Sequence, residues 1–361
     1  MDWSPQQNEA LTLVSAWLRM RYKPWYYLAG YAGTGKTTLA QHLSSEVRGE
    51  VIYAAYTGKA ASVMRSKGCT GARTLHSLLY AVDYDPVTKT RTFHPVPSLG
   101  DDIGLIVVDE VSMADDEISE HLLSHKIPVL VLGDPAQLPP VKGAGYFTRR
   151  EPDYLLTEVH RQALESPILR LATMLRERTF RPRNIDLPGL MVCQKKTLDR
   201  DLVTSADMIL VGRNATRQAY NKRMRELWGR KGSFPEEGEP LICLNNDQKL
   251  GIFNGQTFDV TSSRQDSRVI RLKVKNDETA VDVKVFPDFF VDDVEASKMG
   301  DRALRGTQQF AYAYAITCHK AQGSQWNKVC VFNESEIFRE DSWRWEYTAV
   351  TRAAEHLTLV Y

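Results

Sequence analysis

The stretch "GYAGTGKTT", residues 30–38, places two glycines five positions apart, directly before a lysine and two threonines. A predicted strand, "WYYLA", precedes it, and a predicted helix, "GKTTLAQHLSSEV", follows it. In this context backbone N–H groups and the helix N-terminus cradle phosphates, the lysine neutralises them, and the hydroxyl binds Mg²⁺. The stretch therefore predicts a site for a nucleoside triphosphate with Mg²⁺, formed by Gly33, Thr34, Gly35, Lys36, Thr37 and Thr38.

Acidic and amide side chains follow two further apolar runs. "LIVVDEVSM" ends a predicted strand in Asp109 and Glu110, and "VLGDPAQLPPV" places Gln137 just past another. We expect Asp109 to hold Mg²⁺ together with Thr37, and Glu110 to polarise the water that attacks the γ-phosphate. Gln137 is placed to sense that phosphate. A second acid beside the metal-binding acid favours hydrolysis over transfer to a bound hydroxyl.

Length and composition limit the class of protein. The chain has 361 residues, 43% hydrophobic and 25% charged, which predicts a soluble protein of two or three domains. No apolar run approaches the roughly 18 residues of a membrane span, and the N-terminus has no signal-peptide pattern. The five cysteines are scattered without a CxxC pair. They predict reduced thiols in a cytosolic compartment and no structural zinc site.

Charge is distributed unevenly along a chain whose net charge is only +1. Residues 161–232 hold sixteen Lys and Arg against seven acids, whereas residues 236–295 hold thirteen acids. This pattern is compatible with a basic groove for nucleic acid, and equally with solvated helix faces.

The order of predicted elements indicates an α/β fold. Apolar strands alternate with helices up to about residue 150, as in a parallel sheet covered by helices, and the pattern then restarts. Short alternating strands separated by Gly, Asn and Asp replace it after about residue 236, before it returns with "FAYAYAI". Residues 83–99 read as a small hairpin or loop inserted in the first domain.

The three motifs, in this order, closely resemble those of superfamily 1 helicases of the 5′-to-3′ branch, which contains the RecD-like, Dda-like and Pif-like proteins. The resemblance extends over nearly the whole chain. Further segments match the family's other motifs in order: "SPQQNEAL", "YTGKAA", "RTLHSLL", "LTEVHRQ", "AYAITCHKAQGSQW" and "YTAVTRA".

The resemblance implies additional nucleotide contacts. Gln7 matches the glutamine that reads the adenine edge, and Gly323 lies in a motif at the nucleotide. Arg161 matches an arginine that reaches the γ-phosphate from the second motor domain, and Arg352 matches the arginine finger. The expected catalytic residues are Lys36, Glu110, Gln137, Arg161 and Arg352.

It also implies contacts with DNA along both motor domains. The expected DNA-contacting residues are Thr57, Lys59, Thr74, His76, Phe93, His94, Thr317, His319 and Lys320. Phe93 is a candidate to split the incoming base pair or, alternatively, an anchor that holds the hairpin down. For His319 a packing role is also open, and we expect Trp343 and Trp345 to pack their helix.

The implied architecture is two RecA-like parallel-sheet motor domains. Residues 1–148 form the first, with a strand-separating pin at 83–99, and residues 149–235 and 308–361 form the second. An SH3-like β-barrel insertion, residues 236–307, interrupts the second domain. "FNGQTFDV" (253–260) is similar to the segment that opens this insertion in the family.

The resemblance implies an ATP-dependent DNA helicase that moves 5′ to 3′ on single-stranded DNA, with ATP and Mg²⁺ as cofactors. An RNA helicase of the same superfamily remains open, as does a DNA-stimulated ATPase that remodels complexes without unwinding. A phosphotransferase or a switch GTPase would need neither Arg161 nor Arg352. We expect a monomeric cytoplasmic motor of a bacterium or a phage-infected cell, acting in DNA replication, recombination or repair. Its expected partners are single-stranded DNA, junctions between single and double strands, and single-strand-binding or replisome proteins, with no membrane partner.

Overall fold

A computed structural model describes residues 3–84, 91–111, 114–139, 145–159, 165–247, 249–276 and 279–361. The chain divides into two compact units, residues 1–170 and 171–361. Each unit contains its own six-stranded sheet, and the second also contains a five-stranded antiparallel sheet.

The first unit contains a parallel sheet and a hairpin. Its strands are β1 (Trp25–Gly30), β2 (Glu50–Ala55), β3 (Arg73–Thr74), β4 (Tyr80–Tyr84), β5 (Arg91–Pro95), β6 (Ile103–Asp109), β7 (Val129–Gly133) and β8 (Tyr154–Leu156). The sheet has the order β3-β2-β6-β7-β1-β8, with every pair parallel, while β4 and β5 pair antiparallel as a separate hairpin.

Helices cover both faces of this sheet, as its apolar strands require. Successive side chains of a strand point to opposite faces. Tyr26 and Leu28 of β1 accordingly belong to one buried apolar cluster, and Tyr27 and Ala29 belong to the other. Burying each large apolar side chain stabilises the unit by about 1.5–3 kcal/mol. The helices are α1 (Pro5–Met20), α2 (Lys36–Ser44), α3 (Gly58–Ser66), α4 (Leu75–Leu79) and α5 (Asp116–Ser124).

The expected boundary of the first domain at residue 148 is wrong. Strand β8 pairs with β1, with Leu28 opposite Tyr154, so it is the edge strand of the first sheet. The first compact unit continues to Arg170, within α6 (Pro167–Arg176). The sequence pattern shows that a strand is present here, but it does not show which sheet an edge strand joins.

The second unit contains a mostly parallel sheet. Its strands are β9 (Ile185–Leu187), β10 (Leu190–Cys193), β11 (Met208–Val211), β17 (Ala315–Thr317), β18 (Trp326–Phe332) and β19 (Ala353–Val360). Strands β12–β16, which lie between β11 and β17 in the chain, form the β insertion. The order is β17-β11-β18-β19-β10-β9, and β9 pairs antiparallel with β10 across a two-residue turn. Gly189 in that turn has φ of +80°, which glycine adopts without strain.

The β insertion is a five-stranded antiparallel sheet. Its strands, β12 (Pro240–Cys243), β13 (Thr257–Gln265), β14 (Ile270–Lys275), β15 (Ala280–Val285) and β16 (Phe310–Tyr312), have the order β15-β14-β13-β12-β16. Alternate residues of β14 are buried, which is typical of a sheet with one solvent face. The backbone N–H of Gln308 donates to the Lys284 carbonyl at 2.7 Å, so the two edges approach each other. The comparison with an SH3 barrel remains a prediction.

The expected end of the insertion at residue 307 also needs correction. "FAYAYAI" reads as one apolar strand, yet β16 belongs to the insertion and β17 to the motor sheet. The Ala313 N–H donates to the Pro240 carbonyl at 2.9 Å, whereas the Tyr314 carbonyl accepts from the Ile209 N–H at 3.1 Å. The chain therefore changes sheets between two consecutive residues, which an apolar run cannot reveal.

The remaining helices of the second unit include α8, which connects its two sheets. They are α7 (Arg200–Thr204), α8 (Asn214–Leu227), α9 (Asp288–Val291), α10 (Asp293–Ala296), α11 (Asp301–Leu304) and α12 (Ser342–Val350). Short 3-10 helices cover Phe147–Arg149 in the first unit and Lys195–Thr197, Cys318–Ala321 and Ser335–Asp341 in the second.

Two buried ion pairs join α8 to the insertion. Arg217, 2% exposed, donates to Asp293 at 2.6 Å. Arg225 donates twice to Glu239, at 2.7 and 3.0 Å, and its guanidinium lies 4.4 Å from the centre of the Tyr312 ring. Glu239 is completely buried and also accepts from the Glu236 N–H and the Tyr314 hydroxyl.

The five cysteines are all free and buried. Burial raises the pKa of the Cys318 and Cys330 thiols to about 12, so both remain protonated at neutral pH. No helix in the described part of the chain is both long and apolar enough to cross a membrane.

We predict that Glu239→Ala lowers the free energy of unfolding of the second unit by about 3 kcal/mol, because the largely buried Arg225 loses the carboxylate to which it donates twice and keeps only Glu236, 3.9 Å away, as an ionic partner. Urea denaturation measures this loss. Glu226→Ala is the control, since it breaks an exposed pair with Arg223 and should cost at most about 1 kcal/mol. Equal losses in the two variants would show that the buried pair does not hold the insertion.

Candidate active site

The phosphate loop connects β1 to α2 at the carboxyl edge of the first sheet. Gly33 and Gly35 have φ of +80° and +84°, a conformation that residues with a Cβ adopt only with strain. A Cβ on Gly30 would lie 2.6 Å from the Thr34 hydroxyl oxygen. Thr34 is completely buried and donates to the Tyr31 carbonyl at 2.8 Å, which fixes the turn. The loop geometry thus requires the glycines that the sequence provides.

Lys36 lies over this loop. Its ammonium group donates to the carbonyls of Gly30 at 2.6 Å and Tyr31 at 3.1 Å. A lysine at this point of a glycine loop is placed to neutralise the β- and γ-phosphates of a bound nucleotide.

Thr37 and Asp109 lie together, although 72 positions separate them in the sequence. The Thr37 hydroxyl donates to a carboxylate oxygen of Asp109 at 3.1 Å. Mg²⁺ prefers oxygen ligands and is commonly held by one or two protein groups together with phosphate oxygens and water. A hydroxyl and a carboxylate beside the phosphate loop fit that requirement.

Glu110 has an unusual backbone conformation. Its φ is +53°, in the left-handed region, and its N–H donates to the other Asp109 carboxylate oxygen at 2.8 Å. Such a conformation costs about 1–3 kcal/mol in a residue other than glycine, and it is concentrated at functional sites. It turns the chain sharply after β6, so that consecutive acids leave the strand in different directions.

Gln137 and Asp134 lie just past β7. Asp134 accepts from the Ala136 N–H at 2.9 Å, and the Gln137 N–H donates to the Asp134 carbonyl at 3.2 Å. Gln137 is only 9% exposed, and its side-chain oxygen has no hydrogen-bond partner among the described residues. Burial, and then the negative charges of Asp134 and Glu110, raise the pKa of nearby Tyr27, which stays neutral.

The two glutamines of α1 hold its first turn against neighbouring segments. Gln7 accepts from the Ser4 N–H at 3.0 Å and donates to the Thr34 carbonyl at 3.0 Å, with 2% of its surface exposed. Gln6, which the sequence did not single out, accepts from the N–H groups of Thr157 and Glu158 at 2.8 and 2.9 Å. Gln7 thus supports the phosphate loop, and its contact with adenine stays a prediction.

The threonines expected to contact DNA from the first unit are helix N-caps. The Thr57 and Thr74 hydroxyls accept from the N–H groups of Ala60 and Ser77, each at 3.1 Å. His76 packs between the rings of Tyr56 and Tyr80, and burial lowers its pKa despite the acids nearby. The two threonines therefore fix the starts of α3 and α4, and the contacts of these residues with DNA stay a prediction.

Several other residues expected to contact DNA or nucleotide lie partly or wholly outside the described part of the structure. His94 is exposed on β5, opposite Ala81. The backbone of Phe93 pairs with that of Val82. The side chains of Phe93 and Lys59 lie outside the described part of the structure, as does Arg161 entirely.

The expected DNA contacts of the second unit are largely covered. Thr317 is 8% exposed, and the His319 ring lies 5.4 Å from Phe338, while burial lowers its pKa. Burial, and then the positive charge of Arg217, lowers the pKa of Lys320 to about 8. Lys320 therefore lies close to the buried pair that joins α8 to the insertion.

Arg352 is held inside the second unit. It is 6% exposed and donates to the carbonyls of Thr348 and Ser324, each at 3.1 Å, and to the Thr351 hydroxyl. Gly323 has φ of +72°, in the turn that follows the 3-10 helix Cys318–Ala321. Trp345 is completely buried and stacks on Phe338 with ring centres 5.9 Å apart, so its predicted packing role is confirmed.

Family models match two parts of the chain. Residues 4–186, just over half of the 361, match an AAA domain, and residues 312–360 match a UvrD-like helicase C-terminal domain. The chain belongs to the AAA domain family. Its resemblance to superfamily 1 helicases of the 5′-to-3′ branch is also confirmed.

One similar curated protein is the ATP-dependent RecD2 DNA helicase of Deinococcus radiodurans, 29% identical over 370 residues. The match covers 91% of this chain but 46% of that relative, so the chain spans less than half of the relative's length. Among solved structures, one of two coordinating Pif1 helicases at forked dsDNA has a TM-score of 0.62 at 19% identity, covering 99% of this chain and 92% of that one. Bacteroides Pif1 bound to ssDNA has a TM-score of 0.56 at 18% identity, with the same coverage. The α/β fold with parallel sheets is therefore shared with Pif1 helicases.

We predict that the free energy of unfolding of Glu110→Gly is about 1 kcal/mol higher than that of Glu110→Ala, because only glycine adopts φ of +53° without strain. Both variants lose the carboxylate, so their comparison isolates the backbone. Urea denaturation without nucleotide measures the difference. If the alanine variant is as stable as the glycine variant, the backbone at Glu110 is not strained.

Proposed function

We propose that this protein is an ATP-driven motor that moves 5′ to 3′ along single-stranded DNA and separates duplex DNA at a junction. The observation that supports it most is the meeting of Thr37 and Asp109 beside the phosphate loop, with Glu110 next in the chain. This arrangement suits hydrolysis of a nucleoside triphosphate. The family membership relates that hydrolysis to motors on nucleic acid.

Each group of the site has a role in the proposed hydrolysis. Lys36 would bind and neutralise the β- and γ-phosphates. Thr37 and Asp109 would hold Mg²⁺, which would supply further neutralisation of the phosphate charge when bound. Glu110 orients the attacking water and accepts its proton, while the buried Gln137 amide senses the γ-phosphate. Arg161 and Arg352 would stabilise the charge that develops in the transition state, as arginine fingers do in related enzymes.

The proposed track is single-stranded DNA. The named relatives include a DNA helicase and a Pif1 helicase bound to ssDNA, and the loops after β2, β3 and β17 carry the matching motifs. The hairpin β4–β5 would act as the pin, and the five-stranded sheet as the SH3-like insertion. We propose a monomeric cytoplasmic motor that meets single-strand-binding or replisome proteins at junctions.

Polarity is tested with duplexes that carry a 5′ or a 3′ single-stranded tail, together with ATPase measured with and without single-stranded DNA and RNA. We expect DNA to stimulate hydrolysis and only the 5′-tailed duplex to unwind. Lys36→Ala should lower hydrolysis by at least about 100-fold, because the phosphate charge is no longer offset. Lys195→Ala, at an exposed lysine of the second unit, should change neither activity.

The alternative outcomes are distinct. Stimulation by neither nucleic acid would contradict a motor, and unwinding only from a 3′ tail would overturn the polarity. Stimulation by RNA alone would indicate an RNA helicase. Stimulated hydrolysis without strand separation would indicate an ATPase that remodels complexes.

The role of Phe93 in strand separation is testable separately. We predict that Phe93→Ala lowers the number of base pairs unwound per ATP by at least about threefold, since stacking on a base contributes about 1–3 kcal/mol. DNA-stimulated hydrolysis should stay within twofold of the parent. Phe93→Leu keeps apolar volume without the ring, so recovery of unwinding in that variant would favour the alternative, a hydrophobic anchor.

A further inference from the structure

The hairpin β4–β5 of the first unit follows helix α4 without a linker. Helix α4 ends at Leu79, and strand β4 begins at Tyr80, whose φ of −127° and ψ of 126° are already extended. On the return strand, the Val96 N–H donates to the Leu79 carbonyl at 2.9 Å. Any rotation about this point would therefore change the direction of the whole hairpin.

The helix itself is firmly anchored. Leu75, Leu78 and Leu79 are each at most 2% exposed and belong to the apolar cluster on one face of the sheet. Tyr80 is only half-buried, so it lies at the rim of that cluster. Among the described side chains, Tyr80 is therefore the one that joins the base of the hairpin to the edge of this cluster.

Aromatic rings supply such contacts. The Tyr80 ring stacks on His76 with centres 6.1 Å apart, as expected for side chains four positions apart across the end of a helix, and meets His121 of α5 edge-on at 5.0 Å. His76 meets Tyr56 at 5.8 Å, and His121 meets His125 at 5.3 Å. These contacts form a continuous row from the end of β2 to the end of α5.

A cavity lies beside this row of rings, next to His121. It has a volume of about 570 Å³ and lies between residues 95–100, where the chain leaves the hairpin, and the end of α5. His121 and His125 line it. Leu99 of the exit segment packs on the apolar cluster, while the cavity leaves space between this segment and the end of α5. This space allows the base of the hairpin to reorient when the ring contact is lost.

We infer that Tyr80 is a positioning residue of strand separation. Its ring, held between His76 and His121, fixes the direction in which the hairpin extends from helix α4. The inference rests on the proposed function, because it assumes that the hairpin separates the strands. The Tyr80 side chain also connects the hairpin to His76 and thus to the segment, Thr74 and His76, that is expected to contact DNA.

The first test needs no helicase activity. Hydrogen–deuterium exchange of the full chain should show at least tenfold faster exchange in residues 80–84 and 91–96 of Tyr80→Ala, and parental exchange in Tyr80→Phe, which keeps the ring. Tyr53→Ala is the matched control, because it removes a half-buried tyrosine of the same unit on the opposite apolar cluster. Unchanged exchange in Tyr80→Ala would overturn the inference.

The second test measures coupling. Base pairs unwound per ATP should fall at least fivefold in Tyr80→Ala, with DNA-stimulated hydrolysis within twofold of the parent, and Tyr80→Phe should be normal. His121→Ala should lower coupling too, and the double variant should be no worse than Tyr80→Ala. Parallel loss of hydrolysis and unwinding would contradict the inference, because Tyr80 would then support the motor itself. A parent protein without DNA-stimulated hydrolysis would instead contradict the proposed function, and the exchange measurement would still decide the role of Tyr80.

Discussion

The candidate active site depends on one constraint, the order of parallel strands in the first sheet. Strand β7 separates β6 from β1, so Asp109 and the phosphate loop emerge two strands apart at the same edge. Neighbouring strands lie about 4.8 Å apart, so an element beyond the carboxyl edge of the sheet must close the gap between Asp109 and the phosphate loop. Helix α2 does so, because its first turn carries Thr37 to within 3.1 Å of Asp109. Gln137 follows the intervening strand, which places it between the two.

This arrangement uses strain and burial that a purely structural domain would avoid. Glu110 adopts a left-handed conformation, and Gln137 keeps a buried oxygen without a partner among the described residues. Together these features cost a few kcal/mol, within a domain whose net stability is about 5–15 kcal/mol. The many apolar residues of the two clusters offset that cost. The site therefore depends on the packing on both faces of its sheet.

The sequence placed Thr37 beside Asp109, as the structure does, but it misplaced the boundaries around the candidate site. Motif spacing specified Lys36, Thr37, Asp109 and Glu110, because phosphate and metal chemistry allows few residue types there. It could not assign β8 or β16 to a sheet, since an apolar strand pairs wherever an edge is available. The β9–β10 hairpin was missed, although the Pro188-Gly189 pair between apolar residues is a turn signal that could have indicated it.

Side-chain burial was the least predictable property, and it bears most on how the protein would hold a strand. A motif match identifies His76, His319 and Lys320 as candidate contacts, but only the fold shows that burial lowers the pKa of each. At neutral pH the two histidines are therefore predominantly uncharged. Phosphate contacts by cations make binding steeply dependent on salt, whereas neutral hydrogen bonds and stacking do so much less. Lys320, whose pKa is lowered only to about 8, stays mostly protonated at neutral pH and keeps its positive charge. In the motor that we propose, contacts through uncharged groups at the two histidines would be individually weak, which would allow the strand to be released and bound again as the protein moves.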